Sequence, residues 1–153
     1  MANTFTQLNI HAVFAVKGRQ NIITKNFRDE LHKYISGIIT GLGCFSLAVN
    51  GYQDHVHAAF ELKPDLSISE ILEKIKANSS KWINENRFVA GKFEWQRGYG
   101  AFSFSKSHRD VTVQYIINQE EHHKKKKFHE EYLDFLKTHE IDFDEKYLFE
   151  FYE

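Results

Sequence analysis

Two histidines stand one residue apart in "GYQDHVHAAFEL", residues 51–62. Side chains two apart on a strand point to the same side, so His55 and His57 project together while Val56 points away. Two imidazoles side by side form a ready bidentate site for a divalent cation. A second pair lies in "VQYIINQEEHH". On a helix, Tyr115 and Gln119 are four apart and share a face. Gln119 offers an amide oxygen to a hard cation, and Tyr115 a phenol that becomes a nucleophile once activated. The residues alone leave plainer readings open: a polar strand face for the histidines, a half-buried helix aromatic for the tyrosine. His122 and His123, ahead of "KKKK", would face about 100° apart on a helix and chelate poorly. That run reads as a solvated basic stretch able to touch phosphate. His11, on the side of the first strand opposite Leu8 and Ile10, is within reach of the face that holds the His pair. Cys44 has no Cys or His close by and reads as a small buried apolar residue. No glycine-rich phosphate loop and no Ser-His-Asp pattern is present.

These side chains need elements to hold them. From Gln7 to Val16, Leu8, Ile10, Ala12, Phe14 and Val16 alternate as on a strand with one core face. "NFRDELHKYISGIITGLG" spaces Phe27, Leu31, Ile35, Ile38 and Ile39 as a helix, with Asn26 as N-cap and Gly41 or Gly43 as stop. "CFSLAVNGYQDHVHAAFEL" predicts two strands joined by a turn at Asn50 and Gly51. Ser67 and Glu70 stand in capping-box register ahead of a stripe of Ile68, Ile71, Leu72, Ile75 and Trp82. "KFEWQRGYGAFSFSK" predicts a strand pair bent by Gly98 and Gly100. Ser107 then caps one continuous helix over "HRDVTVQYIINQEEHHKK". A short amphipathic helix, "FHEEYLDFLKTH", and an aromatic end, "YLFEFY", close the chain. The order β-α-β-β-α-β predicts an α+β ferredoxin-like sandwich: an antiparallel sheet with helices on one face, plus a C-terminal helix carrying the tyrosine. Residues 1–127 form the core, and 128–153 a C-terminal extension of the same domain.

The 153 residues suit a single domain, and a hydrophobic share of 42% supports a real core. The net charge of −1 carries no basic excess that would mark a nucleic-acid protein, though local patches matter more than the total. Arg97 and Lys106 lie beside Trp95 and Tyr99, a mixture that can stack bases and hold phosphates. With Lys76 and Lys81 on the second helix, they are the candidate DNA contacts. A single cysteine cannot form an internal disulfide. With no signal-peptide pattern at the N-terminus and no apolar run long enough to cross a membrane, a cytoplasmic location is expected.

Taken together, "LNIHAVFAVKGRQ", "DHVHAAFEL", "SISEILEKIKANSSKWI", "WQRGYGAFSFSKS" and "VQYIINQ" resemble the one-tyrosine HUH transposases of small bacterial insertion sequences, the TnpA type. The resemblance runs over about residues 5 to 125. It implies a ferredoxin-like core and a homodimer that recognises hairpins in single-stranded DNA near element ends. It implies His55, His57 and Gln119 as ligands of Mg²⁺ or Mn²⁺, and Tyr115 as the nucleophile. Cleavage then leaves a 5′-phosphotyrosine and a free 3′-OH that can be rejoined without ATP, often with the tyrosine helix of one subunit completing the other's site. The histidine-rich set suits Mn²⁺ somewhat better than Mg²⁺. The tail after Lys127 lies outside the resemblance. Two other functions fit the same residues: a domesticated, non-mobile protein that binds DNA hairpins, and an unrelated ferredoxin-like metal hydrolase with Tyr115 purely structural.

Overall fold

The computed structural model describes residues 4–17, 21–124, 126–144 and 148–149. Its strands are β1 (Asn9–Ala15), β2 (Phe45–Gly51), β3 (His55–Glu61) and β4 (Gly100–Phe104). They form one antiparallel sheet in the order β2-β3-β1-β4. Helices α1 (Arg28–Gly41) and α2 (Ile68–Glu85) are the two crossovers, so the arrangement is the expected ferredoxin-like one. Among the described residues, a 3-10 turn at Lys106–His108 and three α-helices follow β4: α3 (Arg109–Ile117), α4 (Gln119–His123) and α5 (Phe128–Thr138).

The period-two pattern of β1 sets the two faces. Ile10, Ala12 and Phe14, with Val56, Ala58 and Phe60 of β3, pack against Leu31, Ile35 and Ile39 of α1 and Ile71, Leu72 and Ile75 of α2. Trp95 closes this core, its indole N–H donating to Ser79 Oγ at 3.0 Å. On the other face, Val13, Ala15 and Phe102 bury against Phe128, Tyr132 and Leu136 of α5. The larger of these side chains, such as Val13, Phe128 and Leu136, contribute on the order of 1.5–3 kcal/mol each when fully buried, enough to hold α5 on the sheet. The sheet is therefore covered on both faces, and all seven residues of β1 are buried. The expected one-face helix layer is α1 and α2; α3 carries the tyrosine, and two more helices come after it.

Several local expectations shift. The N-cap of α1 is Phe27, not Asn26. Asn50 and Gly51 belong to β2, opposite His57 and Val56, and the turn is residues 52–54. A Cβ on Gly51 would lie 2.2 Å from the His55 carbonyl oxygen, so the close approach of the two strands requires glycine there. The "KFEWQRGYGAFSFSK" segment gives one strand, β4, and a single bridge, Val16 to Trp95, because Gly98 at φ +79° turns the chain between them. Ser107 does not cap α3: its N-cap is His108, with no side-chain bond. The expected continuous helix breaks at Asn118 into α3 and α4. The capping box of Ser67 and Glu70 is as expected. Of the two glycines expected to stop α1 it is Gly43, at φ +91° just past the C-cap Leu42, that ends it, while Gly41 is its last helical residue. Of "YLFEFY", Leu148 and Phe149 are described, with Phe149 buried beside Tyr132; the rest lies outside the described residues. No helix among the described residues is long and apolar enough to cross a membrane.

Candidate functional site

The second sheet face carries the chemistry. Val13 pairs with His57 and Ala15 with His55, so both histidines point at α3, α4 and α5, away from the α1–α2 core. Both are fully buried. His55 Nδ1 is 2.7 Å from Asp54 Oδ1, and His57 Nδ1 is 2.8 Å from His11 Nε2. Each ring is thus anchored through one nitrogen and turns its Nε2 inward, the way a hydrogen-bonded partner orients a metal-binding histidine. His11 takes the place its strand position suggested.

Tyr115 and Gln119 arrive from above. Asn50, on the His57 side of β2, donates from Nδ2 to the Ile116 and Ile117 carbonyls at 3.0 and 2.8 Å. Those carbonyls end α3, where helix carbonyls run out of intrahelical partners, so Asn50 of the sheet helps to cap the tyrosine helix. The Tyr115 ring lies 5.8 Å from that of His57 in the same chain. Gln119, fully buried, keeps its contact with Tyr115 across the helix break, its Nε2 lying 3.5 Å from the Tyr115 carbonyl. Its Oε1 accepts from His55 Nε2 at 3.1 Å. The structure therefore brings His55, His57, Tyr115 and Gln119 together.

It also brings in Glu131, which was not among the expected site residues, and His123, which was expected to lie in a solvated stretch. Glu131 of α5, almost completely buried, sits at the centre. Its Oε1 accepts from His57 Nε2 at 3.0 Å and lies 3.5 Å from His55 Nε2; its Oε2 accepts from the Tyr115 hydroxyl and, at 3.2 Å, from Gln119 Nε2. His123 was read as solvated, yet its side chain is only 4% exposed. Its Nε2 lies 3.0 Å from Gln119 Oε1 and 3.4 Å from Glu131 Oε1. Neighbouring positions do diverge, and only His122 is left partly open, near Tyr115. His55, His57 and Glu131 offer ligand atoms within 4.8 Å of one another. The donor chemistry fits a divalent cation: imidazole nitrogens, an amide oxygen and a carboxylate, all on buried side chains.

Charges in this cluster are mutually set. Burial alone would pull His55 down, but its bonds to Asp54 and Glu131 outweigh it and raise its pKa to about 9. Burial holds His57 below the usual histidine value despite Glu131, and His11 well below it. Glu131 is held strongly ionised: burial opposes charge, but His57, His123 and His55 outweigh it. With His57 Nε2 donating to Glu131, His57 Nδ1 accepts from His11. Burial, then the Glu131 charge, push the Tyr115 phenol above its ordinary value, so it is protonated in this arrangement. A cavity of about 190 Å³, lined by Tyr115, His122, Lys126, Glu131, Phe135 and His139 among others, opens onto the hydroxyl.

The four candidate DNA contacts do not form one group. Lys76, Lys81 and Arg97 line a groove of about 670 Å³ beside Trp95. Lys76 donates to the Gln96 and Gly98 carbonyls, and burial lowers its pKa to about 8, so it braces the Gly98 bend. Lys106 lies apart, exposed at the turn between β4 and α3.

The chain is similar to known proteins at two levels. A family described as "Transposase IS200 like" matches residues 4–119. A solved structure of a candidate transposase from Deinococcus radiodurans R1 superposes with a TM-score of 0.61 at 22% identity, covering 78% of this chain and 95% of that one. A REP-associated tyrosine transposase bound to a REP hairpin superposes with a TM-score of 0.57 at 16% identity, covering 80% and 73%. At those identities the likeness is one of fold. No curated protein matches.

Proposed function

The chain belongs to the IS200-like transposase family, and from that premise we propose that it cleaves and rejoins single-stranded DNA through a 5′-phosphotyrosine on Tyr115. The observation that carries this reading is the convergence of Tyr115 on the buried His55–His57 pair within one chain. His55 and His57, with Gln119 and Glu131 beside them, would hold Mg²⁺ or Mn²⁺. When bound, the cation would spread the charge that builds on a phosphate oxygen and offset that of Glu131. The Tyr115 oxygen attacks phosphorus, the P–O3′ bond breaks, and the 3′ oxygen leaves. The phenol proton has an acceptor in Glu131 Oε2, to which Tyr115 already donates. From Glu131 that proton passes to the leaving 3′ oxygen, giving the free 3′-OH; rejoining reverses these steps, the attacking 3′-OH giving its proton to Glu131, which returns it to the departing phenolate.

The hairpin carried by the REP-associated neighbour supports a hairpin as the DNA ligand. Arg97, Lys81 and Lys106 are proposed phosphate contacts, with Lys76 shaping the groove wall. Two cleavages need two nucleophiles, so we propose a homodimer. The sheet has edge strands, β2 and β4, that could pair across a two-fold axis. The packing of Tyr115 against its own chain's histidines supports attack in cis. The packing of α5 on the sheet supports residues 128–153 as an extension of the 1–127 core, and the cytoplasm remains the expected compartment.

Incubation of labelled single-stranded hairpins with protein and Mn²⁺ tests the function. A covalent protein–DNA adduct is expected, and its loss in Tyr115→Phe with hairpin binding retained. Binding without an adduct would instead indicate a domesticated hairpin binder, and cleavage without an adduct a hydrolase. An adduct that persists in Tyr115→Phe would show that another residue attacks.

A further inference from the structure

We infer that the cation centre has five protein donors, and that two of them, His123 and Glu131, lie beyond the segment that matches the family, which ends at Gln119. The inference rests on the reading that His55 and His57 hold a cation. Five donor atoms meet at one place. Gln119 Oε1 is 3.1 Å from His55 Nε2 and 3.0 Å from His123 Nε2. Glu131 Oε1 is 3.0, 3.5 and 3.4 Å from the Nε2 atoms of His57, His55 and His123. Neighbouring ligands bound at about 2.1–2.2 Å, at right angles, lie about 3 Å apart, so these separations suit donors around one cation.

The plainer account is that Glu131 only neutralises His55. That account needs one ion pair, and Asp54, 2.7 Å from His55 Nδ1, already supplies it. It leaves unexplained why His123 buries its side chain against Gln119 Oε1 and Glu131 Oε1, on the side of the His pair, while the partly open His122 meets Oε2 on the Tyr115 side. The division of labour within the carboxylate also favours a ligand. Glu131 gives Oε1 to His55, His57 and His123, and Oε2 to Tyr115, Gln119 Nε2 and His122, so it ties the nucleophile to the edge of the donor cluster. α5 is held in place for this by Phe128, whose ring stacks on His55 with centroids 3.9 Å apart. Three imidazoles with one carboxylate form a softer set than Mg²⁺ favours, and Mg²⁺ gives up its waters reluctantly. The centre should therefore select Mn²⁺ over Mg²⁺.

The test is Mn²⁺ binding to the full chain after chelator treatment, followed by the loss of the free-ion electron paramagnetic resonance signal. One Mn²⁺ per chain is expected, displaced only by a large excess of Mg²⁺. Glu131→Gln, which keeps the shape of the side chain, should weaken binding about tenfold or more, and His123→Ala several-fold. Spin-echo spectra of the loaded wild-type protein should count three coupled imidazole nitrogens, falling to two in His123→Ala. That count stands even if a variant fails to fold. Unchanged binding in Glu131→Gln, or two imidazoles in the wild type, with binding lost in His55→Ala, overturns the five-donor centre and leaves the His pair intact. Unchanged binding in His55→Ala overturns the cation reading itself, and this inference with it.

Discussion

Raising the pH on metal-free protein should weaken the fold through one residue. His55 is fully buried between Asp54 on its own strand's approach, Glu131 on α5, and the rings of His57 and His123. Its folded pKa of about 9 lies above the ordinary 6.5. A raised pKa means that the folded state holds the proton more tightly. The stabilisation is fully present below the unfolded value and is lost as pH climbs through the folded one. The whole shift is worth about 3 kcal/mol, at ~1.4 kcal/mol per unit. Between about pH 6.5 and about pH 8 the loss should be about 1.5 kcal/mol. Other histidines oppose this loss: His11, His57, His32 and His122 are held below the ordinary value by burial, and each adds up to about 0.4 kcal/mol of stability as pH rises through the same window, so only the difference from a His55 variant isolates the effect. Lys76, lowered to about 8, stabilises on further alkalinisation, so higher pH is less clean. Urea titrations in chelator across this window, on wild type and His55→Gln, isolate the effect by difference. Wild-type stability should fall relative to that of the variant by about 1.5 kcal/mol across the window. Mn²⁺ affinity of the wild type should rise with pH over the same range, because a bound cation must displace the His55 proton. Parallel stability curves for the two proteins would refute the coupling of His55 to Asp54 and Glu131.

Asn50→Ala removes both side-chain bonds to the end of α3 and should cost about 1 kcal/mol of stability. It should slow adduct formation while leaving Mn²⁺ affinity within about twofold; equal losses in both would mean that Asn50 shapes the metal site and not the tyrosine helix. Gly100→Ala places a Cβ 2.7 Å from the Tyr132 hydroxyl and should lower stability by about 1–3 kcal/mol; a change too small to resolve would show that α5 gives way there. Sedimentation at micromolar concentration should find a dimer, and a monomer would remove that proposal. In mixtures of Tyr115→Phe with His55→Ala, attack in cis predicts no rescued site, whereas recovered activity would require the tyrosine to act across subunits.

Much of the fold was legible because period does not depend on tertiary context. The alternation of Ile10, Ala12 and Phe14 and the stripe of Ile71, Leu72 and Ile75 each face the core they predict. Boundaries were less legible because competing partners decide them. Asn50 and Gly51 look like a turn pair, yet Gly51 is there for a strand contact and Asn50 for a helix end more than sixty residues away. The break at Asn118 has the same origin: once Asn50 holds the last carbonyls of α3, the chain has less to gain from continuing the helix unbroken. The first strand reads as having one core face, and α5, which buries the other face, is distant in sequence from the strands it covers.

His123 and Glu131 obey the same spacing rules that bring out Tyr115 and Gln119. His123 is four residues after Gln119, as Gln119 is four after Tyr115, so one face continues through all three even across the kink. The adjacent pair obscured this: neighbours chelate poorly together, but that says nothing against one of them acting alone with a residue a turn away. Glu131 was legible in another way. Phe128, Tyr132, Phe135 and Leu136 form the apolar stripe of α5, and Glu131 lies within it, three residues after Phe128 and four before Phe135. An acid inside a buried stripe must find cations or protons to offset its desolvation. The chain holds nine histidines, and four of them, His55, His57, His122 and His123, gather within ion-pair distance of that one carboxylate. What the sequence could not show was which surface α5 would cover. That depended on Gly100 leaving room for Tyr132, and on Phe128 finding the face of His55. A helix that reads as an appendage by sequence is thereby placed to bring its one buried acid to the tyrosine.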